Sequence, residues 1–341
     1  MVQKRNITLI ALSVVFLLFI AGCTGGGGDI STGAPTTPFL GGSGGLEIGF
    51  LEGSPPEEVT DGGTFNFQVV VSLKNVGEFA LMKDRVDVDL IGMDPSDFGT
   101  SSSELINQTP EDDPTPKQRD SEGNIIDAIE TFVTFPETGD FDYTGDLAGN
   151  TQFIFRADAC YIYETKTVSE ICVLENMIDV ANDAICTPSE AKSVFSSGSP
   201  VKVTSFRQNV VGKDKLQISF DIVHAGSGNV FVVEEIFQEC PKDPSTRRKK
   251  IDKVNVTVKT GLPDTDAAAG TSSLNCVGLK DSTSESTSTG SVNLVNGKRT
   301  VTCTQTLSGS RTDFVRPVDI NVSFNYLESA DTEVLVKHLV D

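Results

Sequence analysis

The strongest constraint on the fold is a period of two. Near the C-terminal end Val318, Ile320, Val322, Phe324 and Tyr326 alternate with Asp319, Asn321, Ser323 and Asn325, so an extended chain there has one apolar and one polar face. A helix would scatter the same side chains around its axis. The pattern recurs from Thr64 to Lys74, where Phe65, Phe67, Val69, Val71 and Leu73 share a face. Further runs cover Leu46 to Leu51, Val86 to Ile91, Ile129 to Phe135, Phe153 to Tyr163, Val201 to Phe206, Leu216 to His224, Val230 to Phe237, Val254 to Val258 and Val301 to Leu307. Clusters of Gly, Pro, Asn, Asp or Ser separate them. Many short strands without intervening helices predict an all-β chain of antiparallel β-sandwiches.

A length of 341 residues predicts about two domains, and the strand pattern is itself doubled. The stretch from Phe65 to Phe79 and that from Leu216 to Phe231 each hold an alternating strand, a Gly turn and an aromatic that opens the next element. A shorter strand precedes each at a similar distance. This doubling resembles the tandem immunoglobulin-like repeats of prokaryotic envelope proteins, archaeal ones included, and especially the CARDB-like family, whose strand ends in Asn-x-Gly. Asn75-Val76-Gly77 matches that ending and His224-Ala225-Gly226 departs from it. The resemblance implies two tandem immunoglobulin-like β-sandwich domains, at 46–175 and 198–341. A connector at 176–197 would lie between them. Met177, Val180, Ala181 and Ala184 recur at helical spacing, so a short helix is expected there before Thr187-Pro188.

At the other end Lys4 and Arg5 precede an apolar stretch from Ile7 to Ala21, shorter than the roughly 20 residues of a comfortable membrane span. Charge followed by a short apolar run is the order of an export signal. Ile20-Ala21-Gly22-Cys23 follows and resembles the lipobox of prokaryotic lipoproteins. By that resemblance residues 1–22 are a signal peptide and Cys23 becomes the lipidated first residue. An uncleaved anchor helix is the competing reading. Residues 23–45 are Gly-rich with Pro35 and Pro38 and offer no apolar period, so they read as a flexible tether. Either reading places the body on the extracytoplasmic face of the cell membrane.

Six cysteines remain: Cys160, Cys172, Cys186, Cys240, Cys276 and Cys303. An even number in an exported chain predicts disulfides. With no Cys-x-x-Cys and no His close to any Cys, metal binding is disfavoured. Cys303 lies on the face of Val301, and Cys276 precedes the loop leading into that strand, so these two are the first pair expected. Cys172 and Cys186 flank the connector and are the second, leaving Cys160 and Cys240. If Cys186 belongs to the first half, three cysteines lie on each side of the boundary, and at least one bridge must join the halves.

The chain carries 48 acidic against 27 basic residues, a net charge of −21, which excludes nucleic acid as a natural partner. No Gly-x-Ser-x-Gly elbow, phosphate loop or His-Glu-x-x-His motif occurs. His224 extends the apolar face of its strand and reads as a packed residue, and His338 stands near the C-terminus. Asp140, Asp142 and Asp146 group oxygen ligands as a calcium loop would, without its full pattern; Asp120, Glu122 and Asn124 form a second such group. Asp87 and Asp89 share an outward face, as a carboxylate-dependent hydrolase would need. Arg247 to Lys250 is the one basic cluster, read as a loop tip or as a contact for an acidic envelope polymer. Asn107, Asn255 and Asn321 head glycosylation sequons. The expectation is a non-enzymatic, lipid-anchored surface protein with a structural or adhesive role among envelope proteins or polymers. No cofactor is expected, with calcium the one candidate. The alternative is a lipid-anchored module that binds an extracellular solute or calcium, and a carboxylate-dependent hydrolase is the less favoured third.

Overall fold

The first half of the chain runs β1 (Leu46–Phe50), β2 (Glu58–Thr60), β3 (Val69–Asn75), β4 (Val86–Ile91), the short pair β5 (Gln118–Arg119) and β6 (Ile125–Ile126), β7 (Glu130–Phe135) and the long β8 (Thr151–Val173). The second half runs β9 (Glu190–Ala191), β10 (Phe195–Ser196), β11 (Val201–Gly212), β12 (Lys215–His224), β13 (Asn229–Phe231), the helix α1 (Pro244–Lys250), β14 (Lys253–Lys259), β15 (Asn275–Val277), β16 (Ser282–Ser284), β17 (Thr287–Asn293), β18 (Lys298–Thr306) and the long β19 (Phe314–Lys337). This computed structural model describes residues 37–234, 240–262, 274–279, 282–284, 286–307 and 309–339. Cys23, the signal and the first part of the tether lie outside the described residues. So does the end of the run expected from Val230 to Phe237.

The doubled pattern is present in the pairing. In the first half β1, β3 and β7 form one sheet in that order and β4 pairs with β8; in the second β11, β12 and β18 form one sheet and β14 pairs with β19. The two halves share this core plan, to which the second adds β9 and β15 on one sheet and β17 and β16 on the other. Alternation explains each element locally: β3 has the burial pattern buried, intermediate, buried throughout, with Val69, Val71 and Leu73 inside.

The halves nevertheless are not separate units. β8 and β19 run antiparallel along their whole lengths, from Thr151 opposite Val336 to Val173 opposite Phe314, and residues from Thr37 onward form one compact unit. The N-terminal part of each long strand completes its own sandwich, and the C-terminal part crosses to the other. Thus β8 meets β4 at Arg156 to Tyr161, whereas farther along Gln208 of β11 accepts from the Cys172 N–H and donates to its carbonyl. Likewise β19 meets β14 at Asp319 to Ser323 and then pairs in parallel with β2 at Leu335 to Lys337. Both sheets of each half feed one continuous apolar cluster.

This corrects the expected division at 176–197. Apolar alternation stops at Tyr163, and Thr165, Thr167 and Ser169 occupy the inward positions that follow. Those polar side chains are buried, and their hydroxyls bond Ser199, Ser196 and the Ser193 carbonyl. A buried polar group matched by a partner is tolerated, so a strand can continue inward on Thr and Ser. The connector helix is also absent. At 175–185 the chain makes turns, with the Asn176 carboxamide oxygen accepting from the N–H groups of Ile178 and Asp179. Of the expected stripe Met177 is buried, but Val180 and Ala181 are exposed, so no continuous apolar face is buried that would hold a helix.

Three disulfides close the structure: Cys160–Cys240, Cys172–Cys186 and Cys276–Cys303. The last is a cross-strand bridge, since β15 sets Cys276 directly opposite Cys303. The first joins the halves across 80 residues of sequence, against 14 for Cys172–Cys186. On chain entropy these are worth about 4.5 and 3 kcal/mol, so the inter-half bridge is the larger constraint. Three disulfides suit an oxidising, extracytoplasmic compartment. No helix among the described residues is long and apolar enough to cross a membrane.

Candidate functional site

Residues 240–250, which carry α1, form an arm across the outer face of the first half. Cys240 is bonded to Cys160 of β8, and Phe231, Leu327 and the two cysteines form a small apolar cluster beneath it. Asp243 caps α1 by accepting from Thr246 N–H at 2.8 Å, which sets Arg247 over the Phe231 ring at 5.1 Å. Lys242 reaches down from this arm to the Asp89 carboxylate at 2.8 Å and to the Asn107 carboxamide oxygen at 3.1 Å. The basic cluster is therefore divided in use: Arg247 stacks, Lys250 pairs with Glu234 at 3.0 Å, and Arg248 and Lys249 are exposed.

Between arm and sheet is a cavity of about 320 Å³. β4 turns Asp87, Asp89 and Ile91 into it, β8 supplies Asp158 and Cys160, and β19 supplies Leu327. Asp89 and Asp158 are directly opposite each other on neighbouring strands, a like-charge pairing that costs stability. Each has a cation: Lys242 on Asp89, and Arg156 on Asp158 at 2.7 Å. Asn107 stands at a φ of 56° and donates its N–H to Asp89. Asp87 and Asp89 were singled out in the sequence; Asp158, Asn107 and the arm were not associated with them, because only the cross-strand register and the disulfide bring them together.

The expected calcium residues do not converge. Asp140 is exposed, Asp142 is half-buried with Oδ1 lacking a hydrogen-bond partner, and Asp146 is exposed. Asp120 uses its oxygens on its own hairpin turn, accepting from the N–H groups of Glu122 and Asn124. Of the calcium candidates only Asp146 joins a group of three potential ligands among the described residues, with Asp61 and His338. Asp61 is buried at the end of β2. Its Oδ1 accepts from Leu339 N–H at 2.9 Å, and its Oδ2 from Leu147 N–H at 3.0 Å and His338 Nδ1 at 2.8 Å. With both oxygens engaged by donors, Asp61 acts as a clasp that ties the end of β19 to the first half.

Those bonds, Leu339 first and His338 next, hold the Asp61 carboxyl down at about 2 against an ordinary 3.8. A depressed acid stabilises the fold above its unfolded value and loses that effect as pH falls toward the folded one. Asp61→Asn is therefore expected to melt below the parent chain at pH 7, and the gap to close as pH falls from about 4 to 2, in thermal melts across that range.

His224 is half-buried, with Nε2 3.0 Å from the Tyr326 hydroxyl; burial lowers its pKa, with Asp252 opposing. Of the sequons, Asn107 faces the cavity, while Asn255 and Asn321 lie on adjacent strands, Asn255 opposite Ser323 and Thr257 opposite Asn321. The Asn255 amide donates to the Val233 carbonyl at 2.6 Å.

No family model and no curated protein matches this chain. Among solved structures it is similar to the secreted serine protease VesC from Vibrio cholerae, at 9% identity, 82% of this chain, 50% of that chain and a TM-score of 0.17. It is also similar to the serine-rich repeat adhesion glycoprotein Srr1 from Streptococcus agalactiae, at 10% identity, 90% of this chain, 100% of that chain and a TM-score of 0.14. The chain thus spans half the length of the protease. Likenesses of this size carry no argument about activity.

Proposed function

We propose that the chain is a non-enzymatic, lipid-anchored component of the cell surface with a structural or adhesive role. The observation that carries this reading is the fusion of the two sandwiches by the β8–β19 ladder and the Cys160–Cys240 bridge. A binder that closes on its ligand needs a hinge between lobes, and here the halves are joined through a continuous sheet. A stiff body on a Gly-rich tether instead holds its outer surfaces at a fixed geometry relative to one another. The resemblance of Ile20 to Cys23 to a lipobox supplies the anchor, and the disulfides agree with the compartment. A single acyl chain anchors only marginally, so Cys23 is expected to carry two chains or a diether lipid.

Intact-mass measurement of membrane-extracted protein, joined to proximity labelling on intact cells, tests both parts. The expected result is a chain that begins at a lipid-modified Cys23 and labels envelope proteins or polymers. A chain that retains Met1 with an unmodified Cys23, or one that labels only cytoplasmic proteins, would overturn the reading.

A further inference from the structure

We propose that the cavity beneath the arm binds a neutral, hydroxyl-rich ligand of monosaccharide size, such as the terminal sugar of a glycan. The inference stands on the cavity alone, and a chain without an anchor would hold the same site. Its volume of about 320 Å³ lies at the small end of the range for small-molecule pockets. Its floor is apolar, made by Leu327, Ile91, Pro241 and the Cys160–Cys240 bridge. Around that floor stand three carboxylates, the Asn107 carboxamide, an ammonium and a guanidinium.

Charge selects among ligand classes. The carboxylates of Asp87, Asp89 and Asp158 share the cavity wall with the cations of Lys242 and Arg247, and Arg156, outside the lining, pairs with Asp158, so the cluster carries little net charge in a chain of net charge −21. A free anion would face three carboxylates, and a free cation would face the Lys242 ammonium and the Arg247 guanidinium. Nor do the carboxylates converge as metal ligands, since among the described residues the one group of three with ligand atoms within 4.8 Å is Asp61, Asp146 and His338. A sugar hydroxyl both donates and accepts. It can donate to Asp87 or Asp89 and accept from Lys242 or Arg247, while the C–H face of the ring covers Leu327 and the disulfide.

The cost of the arrangement points the same way. Asp89 opposite Asp158 is an unfavourable pairing for a sheet, and departures from local preference concentrate at functional sites. The arm that offsets it is covalently fixed at Cys240, so the site is formed before a ligand arrives, which lowers the ordering cost of binding.

Saturation-transfer difference NMR on the purified chain with D-glucose, D-galactose, D-mannose and N-acetyl-D-glucosamine tests the proposal, followed by calorimetry on any sugar that responds. The expected result is millimolar binding of at least one sugar, weakened about ten-fold by Asp89→Asn and by Asp87→Asn, as the loss of a hydrogen bond to a charged group implies. Asp89→Asn removes the like-charge opposition, so its melting point is expected to be kept; Arg247→Met supplies a second variant on the arm side, with the same loss expected. Absence of binding to all four sugars, or binding that these substitutions leave unchanged in folded protein, would overturn it. Calcium that displaces a bound sugar would do the same.

Discussion

A chain divided at Thr187-Pro188 is expected to give two fragments that do not fold alone and do fold together. Fragment 37–187 would lack the C-terminal part of β19, which pairs with β2 and places Val334 and Val336, both 0% exposed, in the first sandwich. Burying an aliphatic side chain of this kind contributes about 1.5–3 kcal/mol, so these two alone account for about 3–6 kcal/mol. Net stabilities of about 5–15 kcal/mol leave little after that loss. The fragment would also expose the whole inner edge of β8, some 23 residues of unpaired backbone, which invites association with other strands. Fragment 188–341 suffers the reciprocal loss of Ile171, Cys172 and Val173, all 0% exposed. Mixed under oxidising conditions, the two are expected to form a one-to-one complex with the β-sheet circular dichroism of the intact chain and a Cys160–Cys240 cross-link visible on a non-reducing gel. A cooperative thermal transition in either isolated fragment would show that the long strands are an ornament on two independent domains.

The same long strands mark where the sequence was legible and where it was not. β4, β12 and β14 were readable because alternation is strict within one half and both faces are used conventionally: Val254, Val256 and Val258 face in, Asn255 and Thr257 out. The repeat was readable for the same reason. The join was not, since Thr165, Thr167 and Ser169 face inward and Glu328 to Glu333 interrupt the apolar rhythm of β19 before Val334 and Val336 resume it. Hydrophobic period reports burial only when the buried residues are apolar. The disulfides were legible through parity and local placement, whereas the cavity was not, because it depends on β4, β8 and an arm from the other half meeting in space. His338 shows the same limit: beside Leu339 it suggests nothing, and only the pairing of β19 with β2 brings it to Asp61.

The Gly of the Asn-x-Gly ending should be the least replaceable residue of its turn. A Cβ at Gly77 would stand 1.9 Å from the Tyr163 hydroxyl, 2.7 Å from the Gly44 carbonyl oxygen and 2.8 Å from that of Gly198. Two of these neighbours are backbone, and the third is a buried ring held by hydrogen bonds: the Tyr163 hydroxyl lies 3.1 Å from the Asn75 carboxamide oxygen and 3.3 Å from Phe79 N–H. Asn75 in turn donates to the carbonyls of Phe79 and Pro114, so the motif is a packed polar knot whose Gly leaves room for the tyrosine. The second half repeats the device with other residues, for a Cβ at Gly226 would stand 2.3 Å from the Tyr326 hydroxyl, with His224 in place of Asn75 as the hydroxyl's partner. Because neither ring nor backbone can withdraw cheaply, Gly77→Ala is expected to cost about 3 kcal/mol, the upper end of overpacking in a close-packed interior, and to lower the melting point of this single unit by roughly 5 °C. Gly149→Ala, where nothing lies within 4 Å of the added carbon, should change stability by less than about 0.5 kcal/mol. Differential scanning calorimetry of both variants gives the comparison. Equal melting points would mean that the turn carrying the Asn-x-Gly resemblance is not held by Tyr163.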